Sequence, residues 1–404
     1  HRFQRPDALR ESVDSTATSL TGASWRVSFG KERGDHLTWS FWTGGVTPGF
    51  EVNDIGFSTA TEQFDFGTRI NWAQISPQGP FRSYNLTLTS FTDLSHEILE
   101  PEIGFRDALK SVLLRMDWRG EFKNFWGFGG DFNYSPRHAD YGGTRGGPVM
   151  IDPGSISYNT RWNTDRRNPV VFDFNVRGRV GADDSGSSLT IGGGIEFRPS
   201  PTVEFKLSPR WTRSNTVSQY VTSTSTLEYE PTFGRRYLFA DLDRESVSME
   251  TRVDVSLTPS LTFQLYAQPL LSSGDYVSYR QLEDTRTFDF RDFQPGTASE
   301  AGGEVVCTGG DICLLDGTQF IDFDGDGVTD YSLNDRDFNI RSLIGNAVLR
   351  WEYRPGSTVF LVWQRQQRGS VALGDFDFGR DFDALWGLES NNTFIVKFDY
   401  WLPL

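Results

Sequence analysis

One pattern constrains this chain more than any other: apolar and polar residues alternate one for one along most of its length. Near the carboxy end, Ala347, Leu349, Trp351 and Tyr353 share one face, while Arg350, Glu352 and Arg354 share the other. A period of two is that of a β-strand, whose successive side chains point to opposite sides. Residues 358–364 repeat the pattern after the turn Arg354-Pro-Gly-Ser357. The closing stretch, 393–402, sets Phe394, Val396, Phe398, Tyr400 and Leu402 against Lys397 and Asp399 and ends the chain as a further strand. Trp401 falls on the polar phase and breaks the rule.

The same alternation predicts strands around residues 25–29, 37–41, 64–72, 84–88, 112–118, 126–134, 172–179, 189–197, 203–211 and 261–267, with 238–257 as one long strand. The connections are of two kinds. Tight turns fall at 76–80, 119–124, 165–168, 198–201, 258–260 and 354–357, and between them lie long polar loops at 46–60, 93–106, 137–153, 275–337 and 369–390. Short and long connections alternate when all turns sit on one rim of a barrel and all loops on the other. A soluble sandwich, the competing all-β fold, has no reason to segregate loop length.

Composition points the same way. The 404 residues include 33 Phe, 12 Trp and 13 Tyr, yet mean hydropathy is only −0.44; aromatic richness with overall polarity suits a girdled membrane barrel. No apolar run approaches the roughly 20 residues of a membrane helix. A net charge of −15 argues against nucleic acid as a partner. The chain is thus expected to be all-β: one antiparallel transmembrane outer-membrane β-barrel over residues 1–404, with about sixteen or more strands, long extracellular loops and short periplasmic turns. About fifteen strands can be counted, and bacterial single-chain barrels have even numbers; a further strand is expected in the first twenty residues or upstream of His1. The amino end is unlike a signal peptide, so a mature or truncated product is expected.

In a barrel the aromatic face meets the outer-membrane lipid. The opposite face, with Arg115, Arg177, Arg179, Arg210, Arg252, Arg350, Asp173 and Glu250, is expected to line a wet lumen. The 275–337 insertion carries Cys307 and Cys313, a disulfide in an oxidising compartment or free thiols in the cytosol. It also carries Asp322-Phe-Asp-Gly-Asp-Gly-Val-Thr-Asp330, in which Asp322, Asp324 and Asp326, the Val328 carbonyl and Asp330 follow the order of a Ca²⁺ loop, with a structural role. Leu333 stands where a bidentate Glu would complete the site, leaving Asn334 or Asp335 as substitutes. A hydrolase needs a nucleophile held by a base; His1, His36, His96 and His138 lie far apart with no serine motif, and read as loop histidines.

The segment Gly345-Asn-Ala-Val-Leu-Arg-Trp-Glu-Tyr-Arg-Pro-Gly-Ser-Thr-Val-Phe-Leu-Val-Trp363 resembles the near-terminal hairpin of domain-of-unknown-function family 5916. Gly49-Phe-Glu-Val-Asn-Asp-Ile-Gly-Phe57, Arg145-Gly-Gly-Pro148 and Arg236-Tyr-Leu-Phe-Ala-Asp-Leu-Asp243 are similar to further signatures, so the likeness runs from about Gly49 to the end. The resemblance implies an outer-membrane barrel that follows a carbohydrate-binding domain of the family-nine type, with 393–402 as its last strand pairing with its first, and brings no catalytic residues. Solute transport or translocation through a polar, loop-plugged lumen is the expected function. The alternative is a surface-anchored platform whose extracellular loops bind carbohydrate or protein partners.

Overall fold

Alternating sequence becomes strand throughout. The structure is a computed structural model that describes residues 5–10, 16, 18–50, 52, 56 and 62–402. Fifteen strands succeed one another in both sequence and sheet order: β1 Ser24–Lys31, β2 Leu37–Val46, β3 Gln63–Gln74, β4 Phe81–Ser95, β5 Leu109–Phe122, β6 Gly127–Ser135, β7 Ser155–Asn163, β8 Val170–Gly181, β9 Gly186–Ser200, β10 Val203–Thr224, β11 Arg236–Thr258, β12 Leu261–Leu282, β13 Phe338–Arg354, β14 Ser357–Val371 and β15 Ser390–Asp399. Every neighbouring pair is antiparallel. Phe290–Asp292 adds a short sixteenth strand beside the end of β12.

The expected long strand over 238–257 is β11. β7 fills the gap between the loop at 137–153 and the turn at 165–168. Several boundaries move, three of them with consequences. β12 runs on to Leu282, so the insertion occupies 283–337 and not 275–337. β5 runs to Phe122, so Arg119 is a strand residue and not a turn residue. β15 ends at Asp399, which accounts for Trp401: it lies beyond the strand, where its N–H donates to the Ser357 hydroxyl at 3.0 Å and its ring lies over Gly356 of the preceding turn.

The connections at 32–36, 75–80, 123–126, 164–169, 201–202, 259–260 and 355–356 all fall at one end of the strands. The other end carries 47–62, 96–108, 136–154, 225–235, 283–337 and 372–389, with 182–185 as the one short exception. Fifteen alternating strands leave the first and last running in the same direction, so β1 and β15 cannot form an antiparallel ladder together. Among the described residues β1 pairs with β2 and β15 with β14, and both stand as edges; the expected pairing of last strand with first is not made.

The two faces of the sheet differ as alternation requires. Phe29, Trp39, Ile70, Leu88, Leu114, Phe174 and Val396 are exposed on one face. On that face Trp118 lies over Gly130 of the opposite strand and Tyr158 over Gly178, so missing side chains are covered by rings. Deep burial occurs elsewhere: Leu238, Ala240, Tyr279, Phe293, Ile312, Ile321, Phe323 and Leu333 form a core at the long-loop end. Among the described residues no helix is long and apolar enough to cross a membrane.

Candidate functional site

Strand register aligns the polar face into rows. In one row Arg119 of β5 stands opposite Gly129, which stands opposite Arg161 of β7, and the row continues through Asn175 and Gly192 to Arg210 of β10. In a second, Arg69, Thr89, Arg115, Asn133, Ser157 and Arg179 follow in order. Between them runs Asn71, Thr87, Asp117, Asp131, Asn159 and Arg177.

All eight expected lining residues lie on this face, in two states. Arg115 bonds Asp117 at 2.6 Å, Arg252 bonds Glu250 at 2.7 Å, Arg350 approaches Glu352 at 3.4 Å, and Asp173 is held by Arg166 at 2.7 Å. Arg177, Arg179 and Arg210 make no ion pair or side-chain hydrogen bond among the described residues, nor do Arg69, Arg119 and Arg161. A cavity of about 540 Å³ is bounded by Arg69, Thr87, Arg115, Arg119 and Arg161. A second, of about 700 Å³ toward the short-turn rim, shares Asn85, Arg119 and Arg161 and adds Asn163.

At the long-loop end a buried ion cluster ties distant segments together. Ser95 caps the short helical turn His96–Leu99 by accepting the Glu97 N–H at 3.1 Å, which fixes the buried Glu97 carboxylate. Arg5 donates to one of its oxygens at 2.9 Å and Arg286 to the other at 2.6 Å. Asp7 joins through Arg5 at 3.3 Å and accepts the Val149 N–H at 2.9 Å. Tyr141 lies beneath the Arg5 guanidinium, and burial together with the Glu97 charge pushes its hydroxyl up to about 12. The amino-terminal segment is thereby stitched to the β4–β5, β6–β7 and β12–β13 loops.

The insertion folds on its own hairpins. Thr297–Ala301 pairs with Glu304–Thr308, and Ile312–Leu315, Thr318–Ile321 and Tyr331–Asn334 form a small sheet. Cys307 and Cys313 are joined as a disulfide, with Cα atoms 5.6 Å apart. Carboxylate oxygens of Asp322, Asp324 and Asp330 lie within 4.8 Å of one another. Asp322 accepts the Gly325 and Gly327 N–H groups at 2.7 Å each, and Asp330 that of Phe323 at 2.7 Å, which leaves lone pairs on all three for a cation. Asp326 is outside the group and caps Val328 N–H at 2.8 Å. Leu333 is buried in the core, Asn334 is a strand residue paired with Thr318, and the Asp335 N–H donates to Gly317. The three-carboxylate set fits a cation of the Ca²⁺ type, with fewer protein ligands than a complete loop supplies.

The described histidines make separate contacts. His36 meets the Ala73 carbonyl at 3.0 Å and His138 that of Pro136 at 2.9 Å. His96 packs against Phe64, and burial lowers its pKa. His1 lies outside the described residues.

A family model described as a domain of unknown function (DUF5916) matches residues 7–300. The chain belongs to the DUF5916 family. The curated proteins contain no significant match to it. The DUF5916 match begins earlier than Gly49 and stops short of the hairpin at 345–363, while the signatures at 145–148 and 236–243 fall inside it. Part of the signature at 49–57 lies outside the described residues.

Three features of this DUF5916 member were missed from its sequence. Glu97, Arg5 and Arg286 carry no local motif, being 92 and 189 residues apart. Arg119 and Arg161 emerge as a pair only through register with Gly129. The helix Phe378–Trp386 lies within the expected loop 369–390, where Phe378, Phe382 and Trp386 repeat at helical spacing and their rings contact in turn.

Proposed function

We propose that the fifteen-strand wall is an outer-membrane β-barrel that conducts solutes through a polar lumen capped by its long loops. The observation that carries this reading is the apolar face. Outward positions run apolar from Val203 to Trp211 in β10 and turn charged at Arg213. Nine residues at about 3.3 Å each span roughly 30 Å, or about 23 Å once tilted by about 40°, close to the roughly 25 Å apolar band of such barrels. So much exposed Phe, Trp, Leu and Ile needs a partner phase, and lipid covers all strands at once.

Lipid does not tolerate open sheet edges. One further antiparallel strand between β1 and β15, which run the same way, satisfies both. The loop layer, held by the Glu97 cluster, sits over the extracellular mouth, where a Ca²⁺ on Asp322, Asp324 and Asp330 orders the insertion. A chelator is then expected to raise protease cleavage within 316–335, and unchanged cleavage removes the ion from this account.

The second reading, a membrane-anchored platform binding glycans or partner proteins, draws on the loop layer's own core and disulfide. Conductance of the purified protein in planar bilayers separates the two. Discrete channels are expected, and a folded, inserted protein that passes no ions overturns the transport reading.

A further inference from the structure

The charge on the polar face is unevenly placed. The whole chain carries −15, yet the three adjoining rows between β3 and β10 hold Arg69, Arg119, Arg161, Arg177, Arg179 and Arg210 without acidic partners among the described residues. The acids within those rows are Asp117 and Asp131. Both are already occupied: Asp117 takes a forked contact from Arg115, and Asp131 accepts Asn133 at 2.8 Å and Asn159 at 3.1 Å. A guanidinium stays charged at any physiological pH and presents a planar fork that fits carboxylate and phosphate oxygens. Six such groups on one wall attract anions into the space before them.

The densest point is the Arg119–Gly129–Arg161 row. The two arginines are two strands apart, about 10 Å between backbones at the usual strand spacing of about 4.8 Å, and the residue between them has no side chain. A Cβ on Gly129 would lie 3.5 Å from the Arg161 Nε, an ordinary contact distance, so the guanidinium lies directly beside the space glycine leaves open. Both cavities on this face share the pair, with Asn85, Asn163 and Thr87 as neutral hydrogen-bonding groups beside it; the acids that also line them are each paired with another arginine, Glu121 with Arg82, Asp165 with Arg167 and Asp117 with Arg115.

We propose that this belt is an oxyanion-binding site, with Arg119 and Arg161 its main anchors, and that it makes the passage selective for solutes carrying phosphate or carboxylate groups. The selectivity rests on the transport reading, whereas the binding site does not, and the test separates them. In a KCl gradient across a planar bilayer, the full chain is expected to pass chloride several-fold better than potassium. Millimolar inorganic phosphate is expected to reduce the chloride current. The double variant R119Q/R161Q should lose most of the selectivity and the phosphate block, while R119K/R161K keeps the selectivity and loses most of the block, since ammonium retains charge without the fork. Native-like heat-modifiable migration on gels controls for folding of each variant. Cation selectivity, or phosphate without effect on an open channel, overturns the proposal. If no current flows, calorimetry with inorganic phosphate in detergent decides the site: binding lost in R119Q/R161Q supports it, and absence of binding to the unaltered chain refutes it.

Discussion

The wall and the loop layer solve the same folding problem in opposite ways. In the wall, large apolar side chains point outward and stay exposed, Phe394 at 76 % and Val396 at 71 %. In the loop layer Val149, Ile321 and Leu385 are fully buried, and so is Glu97. Wall strands are held by continuous backbone ladders that need no core of their own, only a medium that accepts the apolar face. Among the described residues the insertion has only short hairpins of its own. The loops rely on a small core, a disulfide and ion pairs between distant segments, so single side chains should matter far more there.

The Glu97 cluster gives the largest expected effect. Glu97→Ala leaves Arg5 and Arg286 without their shared carboxylate in a dry site, a loss of about 3–5 kcal/mol for a broken buried pair. The loss should be local: hydrogen exchange rises in residues 5–10, 96–108 and 286–290 while the strands stay protected, and channel conductance increases. If the strands lose protection together with the loops, the two regions are one cooperative unit and the contrast drawn above is wrong.

Next in size is a test of the wall itself. Leu88 and Thr89 are neighbours on β4 that face opposite ways. Leu88→Arg is expected to cost about 2–4 kcal/mol in lipid vesicles, as for a cation near the bilayer midplane, and Thr89→Arg close to nothing. Urea unfolding followed by tryptophan fluorescence measures both. Equal costs for the two would mean that the apolar face does not meet lipid.

How far sequence carried this picture follows from the same contrast. Strand positions were legible because alternation is local: Phe172, Phe174 and Val176 declare a strand without reference to any other segment. β7 was harder, since Thr160 interrupts its series of Ile156, Tyr158 and Trp162. The acidic loop and the cysteine pair were legible as short motifs. The Arg119 and Arg161 pairing was not, because it depends on the register of three strands, nor was Glu97, whose partners come from three loops and whose geometry only packing sets. The edges of β1 and β15 follow from an odd strand count that sequence approached without naming β7, and their direction and exposure emerge only once every ladder is assigned.

Reduction of Cys307–Cys313 should have a moderate effect. The bridge closes a short loop, and the chain-entropy relation gives about 2 kcal/mol. Protease sensitivity of 283–337 is expected to rise under dithiothreitol with no change in conductance. A change in conductance instead would place the insertion inside the passage and not above it.

The smallest effect concerns pH at the helix Phe378–Trp386. Burial alone would raise the Asp381 pKa, but hydrogen bonds from Arg380, Asn339, the Asp377 N–H and Arg341 outweigh it and hold the carboxyl at about 2, below its ordinary 3.8. A depressed folded-state pKa means that the carboxylate's contribution is fully present above about pH 4 and is lost as pH falls toward 2. With solvent reaching the outer side of Arg380, about 1 kcal/mol is a fair magnitude. Exposed Trp386, stacked edge-on against Phe382 at the end of that helix, reports the change. Its fluorescence should shift between pH 4 and pH 2 in the unaltered chain and stay flat in Asp381→Asn, which has no proton to gain, while the tryptophans of the wall are silent in both. A shift of equal size in the variant would assign the transition to another carboxyl and leave the helix anchored by its apolar face alone.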